Sequence, residues 1–271
     1  MPGTAPRTRF VLPVSGLEVR LRPPTGREDL LLAEADAPDA ALALTLARRL
    51  GRVEGGAWGA LPACDLDALV LRLRQMLIGD RVLADVTCRA PGCGSRIDIS
   101  FSIISYLAYH RPYSVPLKRP GWSAAPAADA PGWFELHTRR GESVRFRLPS
   151  ADDLVAVSGR PDAEAALACR CLRPADAPAR LRRAAEAAMQ ALAPDLASEL
   201  QGRCPECGAT VAVRFEPRRY CLTELRDRAG FLFADVDALA QRYHWSERTI
   251  LAMPHARRMR YAELARQAEA A

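Results

Sequence analysis

Two cysteine pairs sit inside near-copies of one stretch, so the chain is best read as two similar modules and not as one continuous core. The first pair, Cys88 and Cys93, ends in Cys93-Gly94 and runs into the alternating stretch Arg96-Ile97-Asp98-Ile99-Ser100-Phe101. The second, Cys204 and Cys207, ends in Cys207-Gly208 and runs into Thr210-Val211-Ala212-Val213-Arg214-Phe215. A tight Gly/Pro turn followed by a period-two strand is how a zinc knuckle presents two thiolates from one side. Neither pair alone completes a tetrahedral site.

The duplication extends far upstream. Gly16-Leu17-Glu18-Val19-Arg20-Leu21-Arg22-Pro23-Pro24-Thr25 aligns without gaps on Gly141-Glu142-Ser143-Val144-Arg145-Phe146-Arg147-Leu148-Pro149-Ser150. In both copies a strand ends at a proline and the next residue is a hydroxyl suited to cap a helix. An acid follows three residues later, Glu28 or Asp153, which is the pattern of a capping box. A second helix opens at Pro38-Asp39-Ala40 and at Pro161-Asp162-Ala163, and a third covers roughly 65–78 and 179–192. Short strands at 81–86 and 197–200 lead into the knuckles. The expected fold class is α+β: two tandem pseudo-repeats, each a strand hairpin, helices and a zinc-knuckle hairpin, plus a C-terminal helical segment. The expected boundaries are 1–115 for the first repeat, 116–132 for a Pro/Ala-rich linker, 133–221 for the second repeat and 222–271 for the helical tail.

Composition narrows the function. At 271 residues and 49% hydrophobic the chain has enough apolar material for a sizeable core. Its formal charge of +6 suggests an acidic partner, but Lys118 is the only lysine beside many arginines and alanines. Codon bias in a GC-rich genome explains such a balance as well as electrostatic design does. The longest uncharged run, 99–109, has about half the residues that a membrane-crossing helix needs, and the N-terminus lacks the apolar core of a signal peptide. Residence in the cytoplasm without membrane insertion is therefore expected, and in that reducing setting cysteines at knuckle spacing favour metal over disulfides.

Cys88, Cys93, Cys204 and Cys207 supply the four thiolates of a structural zinc site if the two copies pack face to face. Such a site leaves no open position for water, so the cofactor reading is a structural zinc. The alternative is a pair of relic knuckles with free thiols. Cys169 and Cys171 read as core positions, and Cys64 and Cys221 stand alone. None of His110, His137, His244 and His255 lies in a nucleophile or metalloprotease signature, and no phosphate-binding glycine loop occurs. The paired acids Glu28-Asp29 and Asp152-Asp153 stand in first helical turns, where the helix dipole explains them. No catalytic residue and no enzyme is expected.

The tail, read at 239–251, has the rhythm of helix, turn with capping Ser246, helix, followed by Arg257, Arg258 and Arg260. A zinc-containing DNA-binding regulator would place Ser246 to Thr249 at a groove and the arginines on phosphates. The other reading is a helical hairpin packing Tyr243, Trp245, Ile250 and Leu251 on the body or a partner. Asp235, Asp237, Glu247 and Glu263 balance the bases, which argues against nucleic acid.

The order of Pro-Thr-Gly-Arg-Glu-Asp-Leu-Leu-Leu, two Cys-Gly knuckles and the closing Leu-Ala-x-x-Tyr-x-Trp-Ser-Glu-x-x-Ile-Leu-x-x-Pro-x-x-Arg-Arg resembles a family of baseplate-associated proteins. These are encoded with contractile phage tails and phage-tail-like contractile injection systems. The resemblance covers most of the chain and is most specific at its closing segment, from Tyr243 to Arg258; the wider spacing of Cys88 and Cys93 departs from it. It implies a non-enzymatic structural component or assembly factor of the baseplate, working through contacts with other baseplate or tail proteins. In that setting Tyr243, Trp245, Arg257, Arg258 and Arg260 are the expected partner-binding residues.

Overall fold

The chain folds as an α+β protein in the computed structural model, which describes residues 8–269. The first half opens with antiparallel strands β1 (Thr8–Val11) and β2 (Glu18–Leu21), and β3 (Gly51–Val53) pairs with the far side of β2. Helices α1 (Gly26–Glu34) and α2 (Asp39–Leu50) intervene, and α3 (Ala63–Ile78) leads into the hairpin of β4 (Arg81–Thr87) and β5 (Arg96–Ser102). The short α4 (Ile103–Tyr109) follows. In the second half β6 (Leu117–Arg119), β7 (Trp122–Pro126), β8 (Phe134–Thr138), β9 (Ser143–Phe146) and β10 (Leu172–Arg173) form one antiparallel sheet in the order β10-β9-β8-β7-β6. Helices α5 (Ala151–Val157), α6 (Ala163–Cys171) and α7 (Ala179–Leu192) precede a second hairpin, β11 (Ser198–Arg203) and β12 (Thr210–Phe215). The tail is helical: α8 (Pro217–Ala229), α9 (Leu232–Tyr243), α10 (Glu247–Leu251) and α11 (His255–Glu269).

Residues 116–132 are not the linker that their composition suggests. They supply β6 and β7 to the five-stranded sheet, with Leu117 and Ala124 buried against Leu136, Val144 and Phe146. A Pro/Ala-rich stretch lacks the apolar residues to fold alone, but a strand added to an existing sheet needs only one buried face and finds its hydrogen bonds on its neighbour. The opposite layer is α7, which lays Leu181, Ala185, Ala188 and Leu192 on the sheet at helical spacing.

The main core lies in the first half. The near-continuous apolar run Leu66, Leu69, Val70, Leu71, Leu73 makes α3 a helix buried on most of its circumference. Part of its cover comes from α8, which starts at Pro217, where a proline suits the first helical turn, and so begins before residue 222. Leu222 and Leu225 of α8 are buried among the leucines of α2 and α3.

The two matched helix starts carry the same chemistry. Thr25 and Glu28 form a reciprocal capping box, as do Ser150 and Asp153. In each, an arginine six residues before the acid clasps it: Arg22 Nη2 donates to Glu28 Oε1 at 2.7 Å, and Arg147 Nη2 donates to Asp153 Oδ1 at 2.9 Å. Both cap turns then bridge to a proline that begins another helix. Ala63 N donates to Pro149 O and Ala151 N to Leu61 O, both at 2.8 Å, while His255 N donates to Pro24 O and Gly26 N to Met253 O at 3.4 and 3.3 Å.

A buried ion cluster secures the second of these bridges and fastens the tail to α1. Arg258, 1% exposed, donates through Nη2 to Asp29 Oδ2 at 2.5 Å and through Nε to Asp235 Oδ2 at 3.3 Å. His255 Nδ1 stands 2.9 Å from the same Asp29 oxygen, and its Nε2 accepts from Arg228 Nε at 2.8 Å. Gly26 makes the approach feasible, since a Cβ there would stand 2.8 Å from Leu251 Cα and 2.9 Å from Arg258 Nη1.

Removing one partner from a buried charge cluster leaves the others uncompensated, so Arg258→Met is expected to cost roughly 3 kcal/mol or more, read as a lower urea midpoint. Acid acts through the caps. Burial raises the Asp153 carboxyl, but hydrogen bonds from Arg147, the Ser150 amide and Arg170 outweigh it and hold the group below the usual carboxylate range. Glu28 is lowered against its burial in the same manner by Arg22 and Thr25. A folded carboxyl that titrates below its unfolded value contributes stability that is complete above the unfolded range and is lost as pH falls through the folded one. The urea midpoint is therefore expected to drop below about pH 4, and Asp153→Asn should weaken that dependence while lowering stability at neutral pH.

Candidate metal centre

The two knuckles meet. The hairpins β4–β5 and β11–β12 carry their turns to a common point, where Cys88, Ile97, Cys204 and Val211 form a small buried cluster flanked by Val86, Ala90, Cys93 and Ala209. Each turn is pinned by its own backbone: Cys88 N donates to Ser95 O at 2.8 Å and Cys204 N donates to Ala209 O at 2.9 Å. The glycine after the second cysteine is left-handed in both, with φ of +68° at Gly94 and +72° at Gly208. A side chain would strain either position, which is why the Cys-Gly ending recurs.

The four Sγ atoms lie within 4.8 Å of one another. The shortest separations cross between the knuckles, 3.7 Å from Cys88 to Cys207 and 3.8 Å from Cys93 to Cys204. Four sulfurs at about 2.3 Å from a central ion would stand about 3.8 Å apart along each edge of their tetrahedron. The donor set and its spacing thus fit a tetrahedral thiolate-bound metal. Hydrogen bonds from the side chain and amide of Ser95 lower the Cys93 thiol to about 6, and its Sγ is 3.4 Å from Ser95 Oγ. The Ala209 amide favours the Cys207 thiolate, yet the Cys93 sulfur, desolvation and the remaining thiols push that group up to about 12. Four adjacent thiolates repel one another, and a divalent cation is what permits all of them to ionise together.

The other cysteines divide differently from expectation. Burial pushes Cys171 up to about 11 and Cys221 up to about 12, and raises Cys64 further still, so all three are inert core thiols. Cys169 is exposed and not part of the core, because α6 buries only its C-terminal end.

The tail segment contains the helix, turn and helix expected of it, with Ser246 accepting from the Thr249 amide to cap α10. Tyr243 stacks on Trp245 with ring centroids 4.7 Å apart, and Tyr261 meets both edge-on. These rings are half-buried over Leu239, Ile250 and Ala262. Arg257 and Arg260 are exposed, with Arg260 pairing with Glu263 at 2.8 Å. Arg258 departs from expectation: it is buried, with Nη2 paired to Asp29 and Nε to Asp235, and so lies out of reach of a partner or a phosphate.

Sequence reasoning missed that cluster. Asp29 and His255 were each explicable alone, one by a helix dipole and the other by the lack of a motif, and their 226-residue separation carries no local signal. Ser95, two residues after Cys93, had a visible cue in its place beside the knuckle glycine.

Comparison with known families gives one match: the family described as T4 bacteriophage base plate protein, over residues 5–173. The matched span includes the first cysteine pair and stops before the second pair and before the closing segment that carried most of the resemblance. No curated protein and no solved structure matches the chain. Among the described residues no helix is long and apolar enough to cross a membrane. The family match spans more than half of the sequence; the chain belongs to the T4 bacteriophage base plate protein family.

Proposed function

We propose that this protein is a zinc-stabilised, non-enzymatic structural or assembly component of the baseplate of a contractile phage-tail-like injection system, acting through protein–protein contacts. Family membership supports a structural role in a phage baseplate and, with it, partners among tail and baseplate proteins. The observation that carries the zinc part is the convergence of Cys88, Cys93, Cys204 and Cys207 from hairpins more than a hundred residues apart. A two-stranded hairpin is marginal in water, and the cluster between these two holds only a handful of small side chains. A metal shared by both turns supplies what that cluster lacks and ties the halves together. With four thiolate ligands the ion has no open coordination position, which suits a clamp and not a reaction.

The partner surface in this reading includes Tyr243 and Trp245, whose half-buried rings offer flat apolar area at low entropic cost, with Arg257 and Arg260 at the rim. Arg257 lies over the Tyr261 ring at 5.7 Å from its centroid, so the cation and the aromatic group form one patch.

Three outcomes follow. The purified chain should carry one zinc per molecule by elemental analysis, and Cys204→Ser with Cys207→Ser should lose it. That variant should melt roughly 10 °C lower or more, since each kcal/mol lost moves the midpoint of a chain this size by about 2–4 °C. Unchanged metal content and melting would argue for relic knuckles. For the baseplate role, the tagged protein should sediment with baseplates from producing cells, and a chain that never associates with any tail component would refute the assignment.

A further inference from the structure

The two halves repeat the same three strands but finish the sheet differently. β2 matches β9 residue for residue, and each is flanked by an earlier strand, β1 or β8, and a later one, β3 or β10. Leu12 N donates to Leu17 O at 2.9 Å, so by the alternation of an antiparallel ladder Thr8 and Phe10 turn their backbone groups to β2 while Arg9 and Val11 turn theirs away. Phe10 faces Val19 as Leu136 faces Val144, so Arg9 and Val11 correspond to Glu135 and His137 of β8. There the outward groups are covered: β7 lies antiparallel along that edge, with Ala125 opposite Glu135 and Ser123 opposite His137. Among the described residues no backbone group pairs with the outward groups of Arg9 and Val11. The other edge of the same sheet is engaged, since Gly51 N of β3 donates to Ala47 O in the last turn of α2.

A groove of about 650 Å³ runs beside this edge. β1 lines one side, Ile104 and Leu107 of α4 line the other, and α3 contributes Ala68 and Arg72. No residue of β2 lines it, which places it on the outward side of β1. Val11 and Ile104 are both more than half exposed. Among the described residues its charged members are Arg72 and Arg111, no carboxylate lines it, and neither arginine forms an ion pair. Arg72 is half-buried; that burial lowers its pKa, and Asp80, whose Oδ1 already accepts from Gln75 Nε2 and Ile104 N, offsets only part of the effect. Arg9, at the same edge, is already paired with Glu18. Counting from Pro62 and Pro178, which start α3 and α7, the place of Arg72 is held in the second half by Ala188, buried in one cluster with Ala124 of β7. A strand covering the first half would therefore meet a cation where β7 meets a methyl group.

We propose that the outer edge of β1 is the docking site for an extended segment of a neighbouring baseplate protein, added antiparallel to β1 as β7 is to β8 and carrying a carboxylate for Arg72 and Arg111. The site rests on the baseplate reading above. Outward N–H and C=O groups on an edge strand are a template for another strand, whereas a helix spends its backbone groups internally and cannot satisfy them. Small Ala68 and Ala108 leave room for the inward side chains of such a segment, and the two guanidinium groups select a carboxylate by charge. A second copy joined through β1 would bring no acid, since residues 8–15 contain none, and would add Arg9 to a seam that is already positive. Residues 1–7 likewise contain no acid, and Pro2 and Pro6 have no N–H to donate.

The test adds the purified full chain back to baseplates isolated from producing cells that lack it, with binding read by co-sedimentation. Val11→Pro removes an outward N–H while the β1–β2 hydrogen bonds remain, a place where an edge strand tolerates proline. It is expected to weaken binding at least about tenfold, the size of loss when a buried acceptor is left without its donor, with melting unchanged. Val11→Thr keeps that donor and the branched shape and should bind as the unaltered chain does. Arg111→Glu should weaken binding by a similar factor, whereas Arg140→Glu, at an exposed turn of the second half, should not. A photo-crosslinker at Ile104 should capture partner residues two apart, the spacing of one strand face. Undiminished binding of Val11→Pro or Arg111→Glu, equal loss in Val11→Thr or Arg140→Glu, or crosslinks three and four apart would each overturn the site. A dimer of the free chain that Val11→Pro dissociates would give the edge to a second copy, and slow exchange of the Arg9 and Val11 amides that ends when residues 1–7 are removed would give it to this chain's own N-terminus; either overturns the proposal. Failure of the unaltered chain to bind would instead remove the baseplate reading and this site with it.

Discussion

The burial of α8 against α2 and α3 is the contact on which the rest of this structure depends. It places a helix that follows the second knuckle into the core of the first half, so neither half is complete without the other. Arg74 shows how closely the joint is fitted: buried at 2%, it donates to Glu224 of α8 at 2.8 Å and to the carbonyls of Gly79 and Arg81 at 2.6 and 2.7 Å. One guanidinium thus satisfies the end of α3, the start of β4 and the tail together. A buried arginine persists only where such partners are supplied.

Once α8 is seated, the hairpins have little freedom. β12 leads directly into α8, and Phe215 at its end packs edge-on to Phe101 of β5, 5.0 Å between centroids, and to Tyr106 at 5.4 Å. That aromatic junction aims both hairpins the same way and brings their turns together at the far end, where the sulfurs meet. The proposed metal therefore completes an arrangement that the apolar core has already directed.

Much of this was legible in the sequence because the relevant chemistry is local. The capping boxes at Thr25 and Ser150 need only four consecutive residues, and the knuckles need only a Cys-Gly turn and an alternating strand. The linker expectation failed because composition measures whether a segment folds alone, whereas β6 and β7 borrow both hydrogen bonds and buried area from β8. Arg258 was misread for a related reason. A run of arginines on a helix looks solvent-facing, and only the packing of α11 on α1 and α9 turned one of them inward to Asp29 and Asp235.

By itself, then, the sequence determined the secondary structure of the helix starts and knuckle turns, the mixed α+β class, and the family, since these depend on short-range hydrogen bonding and on residue order. The tertiary structure alone decided which groove α8 fills, that the two cysteine pairs share one point, and that the tail is locked by a buried ion cluster. Those outcomes depend on contacts between residues a hundred or more positions apart, whose free energy comes from burial and charge pairing that no local pattern encodes.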